Sequence, residues 1–116
     1  MVKLTATDAA AGDGFGWSVA LDSGTVVVGA YGDDDACTDD PDCNSGAAYV
    51  YSLSDGGLMY SKLTASDAAK DDGFGSSVAI DGETVVVGAY AKNLLTGAAY
   101  VYRASAAAPL MIRWPS

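Results

Sequence analysis

Short runs in which large apolar residues alternate with small or polar ones recur along the chain, each broken after a few positions by glycine or aspartate. Trp17-Ser18-Val19-Ala20-Leu21 has this form, and so does Ser76-Ser77-Val78-Ala79-Ile80; a period of two marks a half-buried strand. A short connection follows each, Asp22-Ser23-Gly24 or Asp81-Gly82-Glu83, and then a β-branched run, Thr25 to Ala30 or Thr84 to Ala89. The connection predicts a hairpin, and the unbroken apolar run predicts a strand covered on both faces. A third strand is expected at Ala47 to Tyr51 and at Ala98 to Tyr102, with Ala47, Tyr49 and Tyr51 on one face and Ala48 and Val50 on the other. A fourth is expected at Met59 to Ala65, matched at the N-terminus by Val2 to Ala6. No segment carries the apolar spacing of an amphipathic helix over ten or more residues.

The pattern is an internal repeat. Lys3 to Tyr31 aligns with Lys62 to Tyr90 without a gap, and Gly46 to Tyr51 reappears unchanged as Gly97 to Tyr102; 28 of these 35 aligned positions are identical, so the copies arose by duplication. Between the matching blocks Gly32 to Ser45 faces only Ala91 to Thr96, the length variation of a surface loop. A unit of roughly 50 to 60 residues with four strands is the size of a propeller blade. The expected fold class is all-β, with two four-stranded antiparallel propeller blades. Such a partial propeller closes only by oligomerisation or as part of a longer chain. Residues 1–103 are expected to hold the two repeats, about 7–65 and 66–103, with strand 2–6 completing a blade, and residues 104–116 to form an irregular tail. The unpaired first strand would complete the last blade of a neighbouring molecule in a ring of identical chains; the competing expectation is a piece of a longer propeller.

Gly14-Phe15-Gly16 and Gly73-Phe74-Gly75, followed by Val28-Gly29-Ala30 and Val87-Gly88-Ala89, resemble the FG-GAP repeat. The Lys-Leu-Thr-Ala-x-Asp-Ala-Ala and Gly-Ala-Ala-Tyr-Val-Tyr words are similar to its bacterial and algal branch in particular. In that family, known from the head of integrin α subunits and from microbial surface proteins, the repeat implies a propeller blade. The glycines let the chain turn sharply, and the ring of Phe15 or Phe74 is expected to plug the gap between blades. Two departures stand out. Where the family has Gly-Ala-Pro, this chain has Gly-Ala-Tyr at Tyr31 and Tyr90, exchanging a fixed turn for a side chain that can present an aromatic edge. The family's Asp-x-Asp-x-Asp-Gly calcium loop between the first two strands is replaced by three-residue connections, too few oxygens for the 6 to 8 that Ca²⁺ usually takes.

Composition narrows the function. With 116 residues, half of them hydrophobic and 18% charged, the chain suits a single folded domain. A net charge of -9 with six Lys and Arg in all excludes a nucleic-acid partner, whose phosphates call for cations. No run approaches the roughly 20 apolar residues of a membrane span, so membrane insertion is not expected, and Met1 to Asp8 lacks the form of a secretory signal. Histidine is absent and Glu83 is the single glutamate, which removes His-based triads, most zinc sites and the usual general base. An enzyme is not expected.

The loop between the third and second strands of the first copy gathers Asp33, Asp34, Asp35, Asp39, Asp40 and Asp42 with Cys37 and Cys43. The first reading is a solvated acidic loop stapled by a Cys37–Cys43 disulfide, which implies an oxidising, extracellular or cell-surface setting. The second gathers the carboxylates around Ca²⁺, the one cofactor the sequence suggests, although the spacing follows no established calcium loop. Asp8, Asp13, Asp67 and Asp72 precede the Gly-Phe-Gly words and are expected to bond turn amides. The resulting expectation is a non-catalytic module for adhesion, ligand or protein recognition. Its contacts would lie at Tyr31, Tyr90 and the acidic insertion, and its partner would be a protein or a glycan. The alternatives are an accessory propeller of a surface hydrolase and a purely structural propeller fragment.

Overall fold

The computed structural model describes residues 3–6, 8, 12–33, 45–53, 58–65, 69–92, 96–103 and 112–113. They form two antiparallel sheets of four strands. The first is ordered β1 (Ser18–Asp22), β2 (Thr25–Ala30), β3 (Ala47–Ser52) and β4 (Leu58–Leu63); the second is ordered β5 (Phe74–Asp81), β6 (Thr84–Ala89), β7 (Ala98–Arg103) and β8 (Ile112–Arg113). Strands neighbouring in sequence are neighbours in space, so each sheet is a meander of the kind that makes one propeller blade. No helix among the described residues is long and apolar enough to cross a membrane.

Both hairpins between the first two strands close over two residues, Asp22 pairing with Thr25 and Asp81 with Thr84. Ser23 and Gly24 both take positive φ (+52° and +78°), whereas in the second hairpin only Gly82 does (+60°). Those are the patterns of type I′ and type II′ turns, whose twist matches that of the flanking strands.

The blades stack face to face, and alternation along each strand decides which residues meet. Val78, Ile80, Val85, Val87, Ala89, Tyr100 and Tyr102 share one face of the second blade, and they pack with Val27, Ala48 and Val50 of the first. The other face of the first blade carries Val28, Ala30, Ala47, Tyr49 and Tyr51, with Leu4, Ala6 and Phe15 packed on it. The expected division of β3, with Ala47, Tyr49 and Tyr51 opposite Ala48 and Val50, is therefore what puts one half of the strand in each core. Phe74 is fully buried between the blades, its ring edge-on to Tyr100 and Tyr102 at 5.4 and 6.1 Å. Phe15 holds the same pose against Tyr49 and Tyr51 at 5.3 and 6.2 Å.

Glycines let the blade backbones touch. A Cβ on Gly29 would lie 2.1 Å from the Gly75 carbonyl oxygen, one on Gly46 would lie 1.9 Å from that of Phe74, and one on Gly75 would lie 2.2 Å from that of Ala47. The glycine of the first Gly-Ala-Tyr word, Gly29, thus lies within β2 as an inter-blade contact. Across the same seam the Phe74 N–H donates to the Ser45 carbonyl (2.9 Å), the Ser18 hydroxyl to the Gly75 carbonyl (2.8 Å) and the Gly82 N–H to Asp22 Oδ2 (2.6 Å).

Two segments differ from the expected layout. Residues 3–6 enter no strand pairing within the chain; they run beneath the first blade, where the Tyr51 hydroxyl donates to the Thr5 carbonyl, as Tyr102 does to Thr64 in the second. The fourth strand of the second blade comes instead from the tail, with Ile112 opposite Arg103 as Leu58 is opposite Ser52.

Candidate functional site

The two Gly-Phe-Gly words build a surface feature as well as a core plug. Each opens a turn, with the Trp17 N–H donating to the Gly14 carbonyl and the Ser76 N–H to the Gly73 carbonyl at 2.9 and 3.0 Å. Gly14 and Gly73 both lie at positive φ, and a Cβ on either would lie 2.8 Å from a tyrosine ring carbon, of Tyr31 and Tyr90 respectively. Each tyrosine ring therefore occupies the space that a side chain at that glycine would need. In the first blade Trp17 leans on Tyr31, ring centroids 4.8 Å apart.

Stacking the blades brings these groups to one cleft of about 490 Å³ lined by Trp17, Tyr31, Ser76, Ser77 and Tyr90. Trp17 is 66% and Tyr90 61% exposed, so large aromatic surface faces solvent beside two serines. A second cavity of about 320 Å³, lined by Gly12, Tyr31, Asp71, Gly73 and Tyr90, shares both tyrosines. The expected pair Tyr31 and Tyr90 thus comes together. Trp17 was not anticipated as part of the site. Its signal was present, since Trp17 faces Ser76 in the aligned copies, a large aromatic at a position where the blade itself needs none.

The acidic insertion divides. Asp34, Asp35, Asp39, Asp40, Asp42, Cys37 and Cys43 lie outside the described residues, and Asp33 turns inward. Asp33 is buried, with Oδ2 2.9 Å from the Tyr49 hydroxyl and 3.2 Å from Lys62 Nζ. Asp8 closes the group, accepting from Tyr49 at 2.8 Å and from Lys62 at 2.5 Å. Burial, reinforced by bonding to the two carboxylates, holds the Tyr49 hydroxyl protonated far above the usual tyrosine range, and burial with the Asp8 charge also raises Tyr51. Lys62, 5.2 Å from the centroid of the Tyr49 ring, supplies the cation that this pair of carboxylates needs. Among the described residues no three acidic or thiol side chains converge as metal ligands.

The second copy solves the same position with the opposite charge. Asp33 and Lys92 are equivalent, their carbonyls accepting the Gly46 and Gly97 N–H groups, each at 2.9 Å. Lys92 Nζ is 3.0 Å from Asp72 Oδ2, both groups being buried, and that oxygen also accepts the Ala69 N–H at 2.9 Å. Asp72 therefore bonds its own turn, as expected of it, while Asp8 serves the Tyr49 cluster; Asp67 lies outside the described residues.

No match is found among curated proteins. The FG-GAP repeat family matches twice, over residues 1–51 and 60–102, together most of the chain. With the paired meanders, Phe74 between them and the inter-blade glycines in place, the chain belongs to the FG-GAP repeat family.

Proposed function

We propose that the chain is a non-catalytic recognition module of an extracellular or cell surface, and that it holds a glycan in the cleft between its blades. The observation that carries this reading is the convergence of Trp17, Tyr31 and Tyr90, drawn from two blades, around one cleft of about 490 Å³. Aromatic faces offer flat apolar area at little entropic cost, and the rims of sugar rings present the matching C–H surface. Ser76 and Ser77 add hydroxyls that donate and accept, the adaptable partners that sugar hydroxyls require. The absence of histidine keeps such binding insensitive to pH between 5 and 8.

Isothermal titration calorimetry with a panel of neutral oligosaccharides tests the reading. At least one is expected to bind with measurable heat, with binding lost in Trp17→Ala and weakened tenfold or more in Tyr90→Ala, a loss of about 1.4 kcal/mol. Both side chains are largely exposed, so these variants keep the fold. Equal binding by wild type and Trp17→Ala would remove the cleft from the proposal, and a protein ligand competing at Tyr90 would redirect it. The surface setting has its own check: mass spectrometry of alkylated, non-reduced protein is expected to find Cys37 and Cys43 joined.

A further inference from the structure

We infer that the two outward blade faces are halves of one interface, and that each binds the opposite face of a second copy of this chain, head to tail. The internal seam gives the template. The face of the second blade that meets the first carries Val78 and Ile80, both half-buried. Their counterparts on the outward face of the first blade, Val19 and Leu21, are 65% and 64% exposed. The N-terminal segment does not take the place of a blade there. Leu4 and Ala6 pack on the first blade as Leu63 and Ala65 pack on the second, and Val78 and Ile80 need a neighbouring blade in addition.

The glycines make the argument specific. Gly75 presses on Ala47 across the seam, while its counterpart Gly16 holds the same φ of +94° with nothing among the described residues within 4 Å of its Cβ position. Gly29 meets the Gly75 carbonyl at 2.1 Å, whereas the nearest atoms to its counterpart Gly88 all belong to Ser77 of the same blade. Gly46 meets the Phe74 carbonyl at 1.9 Å, whereas Gly97 meets nothing among the described residues nearer than the Tyr90 carbonyl at 3.4 Å. The first blade thus presents outward the projecting half of the seam, and the second blade presents the receiving half.

Docked in the same way, Gly16 of one chain lies against Gly88 and the Ala98 carbonyl of a second copy. Ser77 of that copy donates to the Gly16 carbonyl, and its Asp81 carboxylate accepts the Ser23 N–H. Val19 and Leu21 then lose their water. A second copy carries both complements, the bare backbone of Gly88 to receive Gly16 and the Ser77 hydroxyl to meet its carbonyl. Because the contact is heterologous, it builds a ring where the rotation closes and a filament where it does not.

The test uses two variants at exposed positions, so that each chain still folds. Leu21→Asp places a charge on the projecting face, and Ala99→Arg, opposite Gly88 in the sheet, blocks the receiving one. Light scattering coupled to size exclusion is expected to give a multiple of the chain mass for wild type and one chain for each variant alone. An equimolar mixture of the two is expected to give two chains, because each retains the face the other has lost. Wild type at one chain mass overturns the inference and leaves the faces to other repeats. Either variant alone keeping the wild-type mass, or a mixture that stays at one chain, overturns the head-to-tail arrangement. None of these outcomes depends on whether the aromatic cleft binds a glycan.

Discussion

The two blades share nearly all their letters, yet the same residue types end in different surroundings. Phe74 is fully buried where Phe15 is half-buried, and Ile80 is half-buried where Leu21 stands in solvent. On the opposite faces the order reverses, with Ala48 and Val50 of the first blade fully buried while Ala99 of the second is exposed. A propeller repeat does not enclose its own core. What buries a residue is the next blade, so stability in such a chain is a property of seams as much as of sheets.

The phenylalanine pair gives the largest expected contrast, best measured on the chain carrying both Leu21→Asp and Ala99→Arg so that association plays no part. Phe74→Ala empties a fully buried site between two sheets and is expected to cost about 3–5 kcal/mol in urea unfolding. Phe15→Ala removes a ring that one blade supports, with a cost of about half that or less. Equal losses would mean that the seam contributes little and that each blade folds on its own.

A second contrast isolates the seam from backbone strain. Gly46 and Gly97 both lie at positive φ, +96° and +82°, so alanine at either pays the same left-handed penalty of about 1–2 kcal/mol. At Gly46 the new methyl also runs into the Phe74 carbonyl, which should add about 1–3 kcal/mol of overpacking. In wild type the gap between the two variants is expected to narrow, because head-to-tail docking brings a second copy's Phe15 against Gly97.

Sequence reading recovered the strands because alternation and the β-branched runs are local signals, and the duplication repeated each one. It placed Phe74 between the blades, whereas Phe15, expected to do the same, packs half-buried on Tyr49 and Tyr51 of its own blade. What it missed is set by contacts between distant segments. Lys62 reaches Asp33 and Asp8 only because β4 pairs with β3 in a register that sets it opposite Tyr49. The exchange of Asp33 for Lys92 was visible as an aligned pair once the gapless block was carried two residues past Tyr31, but its meaning needed the buried partners. β8 escaped because Ile112 and Arg113 are too short a pair to carry an alternation signal and pair by position in the sheet.

The charge exchange predicts a difference in alkaline behaviour. In the first blade the Tyr49 hydroxyl is bonded to two carboxylates and stays protonated in the folded chain well above the pH near 10 at which an unfolded tyrosine ionises. Below that pH both states hold the proton and stability does not change on this account. Above it the unfolded state alone gives the proton up, so stability falls as pH rises, by up to about 1.4 kcal/mol per unit for each such group. Urea midpoints from pH 8 to 11 are expected to show this decline, and Tyr49→Phe should make it shallower, with Tyr51 contributing in the same direction. An unchanged slope in Tyr49→Phe would place the alkaline transition elsewhere.

The smallest contrast lies in the hairpins. The second uses Gly82 at its first turn residue, where positive φ carries no steric penalty, but the first holds Ser23 there at φ +52°. Serine seldom adopts that conformation, whereas asparagine tolerates it and Asn-Gly is the preferred pair for a type I′ turn. Ser23→Asn is therefore expected to stabilise by about 0.5 kcal/mol, with Gly82→Ser destabilising by a similar amount. Ser23 has a second role in the proposed assembly, where its N–H faces Asp81 of a second copy. The backbone donor survives the substitution to asparagine, so the gain in stability should come with no loss of association. A drop in assembly mass without a drop in stability would instead show that the serine side chain itself takes part in docking.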